Sequence, residues 1–137
     1  MWWIFALLSA LFAALTAVLA KKGVTNIDSD LATAIRTTCI LFITWTIVLF
    51  KGNVHAVQTL GKQNWLFLIL SGCATGLSWL FYFKALQLGN VSQVAPVDKM
   101  SVALAIILSV IFLGEPLTWK VAVGASFIII GTLVLIF

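Results

Sequence analysis

Five long apolar runs, at residues 2–20, 31–50, 65–86, 94–114 and 118–137, make up most of this chain yet hold only five of its twelve charged residues. A helix of about 20 residues, rising about 1.5 Å per residue, crosses the roughly 30 Å hydrocarbon layer of a bilayer. Each run is long enough for one crossing. A soluble domain needs about 25% charged residues to clothe its core. Here only 9% are charged, 63% are hydrophobic and the mean hydropathy is +1.18. The runs are continuously apolar, without the alternation of barrel strands, and so predict helices. The expected fold is an all-α integral membrane protein with five transmembrane helices.

The breaks carry their own chemistry. The first run ends at Lys21-Lys22, the second is interrupted by Arg36 and ended by Lys51, and the third stops before Gly89-Asn90. Gly114-Glu115-Pro116 reads as a helix break, because Gly permits a left-handed stop and Pro resists continuation. Asp30 is the expected cap of the second helix and Thr118 of the fifth. Trp2, Trp3, Trp65 and Trp119 fall at span ends, where an indole favours the interface. Trp45 and Trp79 lie deeper and are expected to pack inside. The first run exceeds the roughly 7–15 apolar residues of a signal core and has no Lys or Arg before it, so a retained helix is expected.

Small residues mark where helices can approach in lipid. Ala6, Ala10, Ala13, Ala14 and Ala17 form a stripe on the first helix, Gly72 and Gly76 a G-x-x-x-G on the third, and Gly124 and Gly131 share a face of the fifth. Packing within the chain is one reading of these glycines; a dimer seam, especially at Gly124 and Gly131, is the other. Cys39 and Cys73 lie within apolar runs and read as small packing residues, not as a disulfide framework. The eight basic residues are scattered, which argues against a nucleic-acid partner. One histidine, His55, and one glutamate, Glu115, offer no metal cluster or nucleophilic triad, and no phosphate loop is present. Neither an enzyme nor a cofactor or metal site is expected.

From Tyr82 onward the sequence reads YFKALQLGNVSQVAPVDKMSVALAIILSVIFLGEPLTWKVAVGASFIIIGTLVL. An aromatic before Ala-Leu and a Gly, then Val-x-Pro, Leu-Gly-Glu-Pro-Leu, and finally Gly and Ile-Ile-x-Gly, resembles the EamA-type drug/metabolite transporter superfamily. IDSDLATAIRT, residues 27–37, resembles the same group's half-size members. The usual member has ten helices as two inverted five-helix repeats, and this chain looks like one such repeat unit. The resemblance implies export or exchange of small metabolites or drugs across the cytoplasmic (inner) membrane, as a multi-pass protein. Transporters of this kind often place their site between two inverted halves. A single half therefore implies a dimer: an antiparallel homodimer, or a heterodimer with an oppositely oriented paralogue. The related four-helix small multidrug resistance proteins carry an essential Glu in their first helix. Residues 2–20 contain no acid, so antiport of that particular kind is not expected.

Intramembrane charge costs from about 2.5 kcal/mol upward, so an ionisable residue within a span is a candidate site. Arg36, Lys84, Asp98 and Lys99 qualify, and alternating helix directions bring all four toward one membrane face. Asp98 follows Pro96 near the start of the fourth helix, with Arg36 or Lys84 as its expected partner in a gate or substrate contact. Lys99 lies about 100° round from Asp98, so one of the two should face inward and the other snorkel. Snorkelling to the headgroups is the plain alternative for each basic residue. Trp79, Phe81 and Tyr82 are candidates to line a cavity, with packing as their alternative role. Glu115 fits the helix break better than chemistry. A non-transporting membrane subunit, or a partner in flipping a lipid-linked sugar, is the rival function. Charge leaves the orientation balanced, since Lys51, Lys62 and Lys120 lie on one side and Lys21 and Lys22 on the other. The embedded bases reverse that lead, and so allow insertion both ways.

Overall fold

The fold is known from a computed structural model that describes residues 1–136. Its helices are α1 (Trp2–Gly23), α2 (Ser29–Phe50), α3 (Lys62–Leu88), α4 (Val91–Leu108) and α5 (Trp119–Ile136). No strand occurs among the described residues. Each helix, with α4 extended to Leu113, is long and apolar enough to cross a membrane. The protein is a multi-pass membrane protein. Helix ends lie within about three residues of the expected ones, except that α4 changes character at its end. The expected end of the last helix at Phe137 lies outside the described residues.

Hydroxyl residues sit in these apolar helices without breaking them because they bond backward. Thr33, Thr37, Thr38, Thr75, Ser126 and Thr132 each donate to the carbonyl four residues earlier, at 2.8–3.0 Å. A hydroxyl paired this way presents little unmet polarity to hydrocarbon.

The described chain forms two compact units. One comprises Met1–Val18 and the chain from Leu88 onward. Here α4 and α5 form an antiparallel hairpin. The Thr132 hydroxyl, buried near the end of α5, donates to the Pro96 carbonyl at 3.2 Å as well as to Ile128 at 2.8 Å. Ala103 is buried on the same hairpin. The last turn of α4 widens into a π-helical turn, Ser109–Leu113, closed by Gly114 at φ 67°. The Glu115 N–H then returns to the Ser109 carbonyl at 3.3 Å. Thr118 caps α5 as expected, its Oγ1 accepting from the Val121 N–H at 3.4 Å.

The other unit is Leu19–Gln87. Asp28, in extended backbone, caps α2 by accepting from the N–H groups of Asp30 and Leu31 at 2.9 and 3.1 Å. The expected cap, Asp30, is instead in the first turn. Two aspartates two apart satisfy the same composition rule, and only the backbone at Asp28 has the non-helical ψ that a cap needs. A short 3₁₀ helix, Asn53–Thr59, occupies the connection between α2 and α3 after Gly52 turns the chain at φ 68°.

Large apolar side chains remain outward on every helix. Trp45, expected inside, is 47% exposed. Among the described residues, a Cβ built on Gly72, Gly76, Gly124 or Gly131 would meet nothing within 4 Å. Of the alanine stripe on α1, Ala17 is buried and Ala6, Ala10, Ala13 and Ala14 are exposed. Cys39 and Cys73 are exposed free thiols.

Candidate functional site

Trp79, Phe83 and Gln87 recur every four residues and therefore share one face of α3. Opposite them, Arg36 is seven residues into α2, or roughly 10 Å from Ser29 along the helix axis. Its guanidinium carbon lies over the Trp79 ring at 4.3 Å from the centroid and over the Phe83 ring at 5.3 Å. Phe83 is buried, Trp79 half-buried. The half-buried Tyr82 ring meets Phe83 edge to face, with centroids 6.4 Å apart and planes at 67°. The Arg36 guanidinium is thus held against two aromatic faces. An attraction of this kind is worth about 0.5–1 kcal/mol when exposed and about 2 when desolvated.

One turn further along α3 the polar contacts change type. The Gln87 amide donates to the carbonyls of Val24 at 3.1 Å and Ile27 at 2.6 Å, tying the α1–α2 turn to the end of α3. Lys21 donates to the carbonyl of Leu86, which is fully buried. Lys21, Val24, Thr25, Asn26, Ile27 and Gln87 line a pocket of about 500 Å³. Asn26 turns the chain there with φ 64°, a left-handed conformation that Asn tolerates better than most residues.

Of the residues singled out from sequence, Arg36, Trp79 and Tyr82 come together in the Leu19–Gln87 unit. Lys84 is exposed and takes no part in the aromatic cluster. In the other unit Asp98 pairs with Lys99, Nζ to Oδ2 at 3.2 Å. The 100° between them does not separate these neighbours, because the lysine stem folds back far enough to cover it. Lys99 is the more exposed of the two, consistent with a head at the interface. Phe83, Gln87 and Lys21 were not foreseen. The four-residue spacing from Trp79 was the available signal for the first two, whereas Lys21 read only as a stop charge.

Residues 1–137 match the EamA-like transporter family. The chain belongs to that family. A relative from Sinorhizobium sp., described as an uncharacterized transporter in the cobO 3′ region, is 51% identical over 134 residues. The match covers 98% of this chain and 95% of that relative. No solved structure matches the chain significantly. Family membership makes this a membrane transporter.

Proposed function

We propose that the protein moves small metabolites or drugs across the cytoplasmic membrane, by export or exchange, through alternating access in a dimer of five-helix units. The observation that carries this reading is Arg36, fixed over Trp79 and Phe83 within an apolar span. An intramembrane cation costs from about 2.5 kcal/mol, more than the roughly 0.5–2 kcal/mol that ring faces return. A charge kept under those terms fits a site that a passing solute completes. A dimer would pair two five-helix units, and outward apolar side chains with open glycine faces on α3 and α5 leave surface for a second copy. An antiparallel homodimer would rebuild an inverted pair from one sequence, and a heterodimer with an oppositely oriented paralogue would do so from two.

The test is solute flux in reconstituted vesicles, comparing wild type with Arg36→Gln and Asp98→Asn at matched protein abundance. Candidate solutes come from mass spectrometry of medium and cells with and without expression. R36Q should lose most of the flux. Asp98, already neutralised in part by Lys99, should show a smaller loss. Normal flux in both variants would remove the proposed polar site.

A further inference from the structure

The Leu19–Gln87 unit holds six basic residues, Lys21, Lys22, Arg36, Lys51, Lys62 and Lys84, against two acids, Asp28 and Asp30. Both acids lie at the start of α2, where Asp28 is engaged with backbone N–H groups and Asp30 accepts from the Ser29 hydroxyl at 3.4 Å. Between residues 31 and 97 there is no Asp or Glu at all. Neither α2 beyond its first turn nor α3 can therefore give Arg36 a carboxylate. The Trp79 and Phe83 ring faces answer its charge, with Tyr82 as a further electrostatic neighbour, but a ring face supplies no lone pair to the five N–H donors of a guanidinium. That donor fork matches the paired oxygens of a carboxylate or phosphate, and rings that fix its position reduce what is lost on binding.

We infer that Arg36, positioned by Trp79 and Phe83, is the contact for a carboxylate or phosphate group on the transported molecule, so that the substrate class is an organic anion with an apolar body. This rests on the transport reading above and narrows it. Trp79 and Tyr82 give the apolar body aromatic surface beside the anion. A free solute and an anionic lipid headgroup present the same oxygens, and the test separates them.

The purified full chain in phosphatidylcholine vesicles is titrated calorimetrically with benzoate, phenyl phosphate and, as the opposite charge on the same ring, benzylammonium. Both anions should bind saturably and the cation should not. Arg36→Lys keeps the charge without the fork and should weaken phenyl phosphate roughly tenfold or more, while R36Q should abolish anion binding. If R36Q does not fold, R36K alone carries the comparison. Trp79→Phe should retain binding but lose the anion-induced change in tryptophan fluorescence, locating the occupant beside that ring. In vesicles containing phosphatidic acid, lost benzoate binding assigns the site to lipid headgroups, and unchanged binding assigns it to free solutes. Anion binding that R36K and R36Q leave intact, or preference for benzylammonium, overturns the inference. Flux of neutral or cationic solutes without anion binding would refute the anion site and spare the transporter reading. Anion binding at Arg36 without any flux would do the reverse.

Discussion

Replacing Trp79 with Leu should destabilise the Leu19–Gln87 unit by more when Arg36 is present than when it is not. The guanidinium is 4.3 Å from the Trp79 centroid and half-buried, between the exposed and desolvated limits, so the coupling should be about 1 kcal/mol. Phe83, at 5.3 Å, remains in every variant and limits the loss. Arg36→Gln alone should be neutral or slightly stabilising, because it removes an intramembrane charge whose cost exceeds what the rings return. Trp79→Leu alone loses ring packing as well as the cation contact. The four proteins of the cycle are unfolded in mixed micelles by increasing dodecyl sulfate, with helicity followed by circular dichroism. Trp79→Leu should then cost about 1 kcal/mol less in the R36Q background, roughly a fivefold difference in the unfolding equilibrium. Equal costs within about 0.3 kcal/mol would mean that ring and cation do not interact, and would refute the reasoning.

Asp28→Ala should destabilise by about 1 kcal/mol through the lost cap of α2, and Asp30→Ala by a few tenths only; equal losses in the same titration would contradict the observed cap. Gly114→Ala should cost about 1 kcal/mol because alanine must enter left-handed backbone, although no neighbour blocks its methyl group. Gly124→Ala and Gly131→Ala should instead raise the helix stability of the single chain by about 0.5 kcal/mol each, yet lower the fraction crosslinked as dimer in membranes. Undiminished crosslinking in the double variant would exclude that face of α5 as the seam.

The spans were legible because hydrocarbon imposes one strong rule, a length of apolar chain with its backbone bonds satisfied internally. Their ends were less so. Asp28 and Asp30 carry the same side chain, and what separates them is backbone angle, which composition does not record. The widened turn at Ser109–Leu113 also left no mark in an apolar run that reads as ordinary helix. At the candidate site, the depth of Arg36 was evident from its place in the second run. Its contact with ring faces was not, since opposite charge is the partner that composition suggests for a cation. A search for aromatic residues at four-residue spacing would have reached Phe83 from Trp79.

The structure sharpens the balance of charge that governs insertion. Positive residues near helix ends favour the cytoplasmic side, by about 1 kcal/mol each at an anionic surface, and acids contribute little. If every helix crosses, Lys51, Lys62 and Lys120 fall on the side of the N-terminus. Lys21, Lys22, Lys84 and Lys99 fall on the other. Arg36 is left out of the count because its guanidinium is engaged over Trp79 and Phe83. The remaining lead is a single charge, which corresponds to about 1 kcal/mol, or roughly five chains one way for each chain the other way. Such a ratio supplies both members of the antiparallel homodimer proposed above. A cysteine at Asn53, in a background without Cys39 and Cys73, should therefore be labelled partly from each side of the membrane. Two arginines added between Lys51 and Lys62 shift the balance by about 2 kcal/mol and should turn most of that loop to the cytoplasm. Labelling of Asn53 from one side only, before the arginines are added, would rule out the homodimer and require a separate partner of opposite orientation.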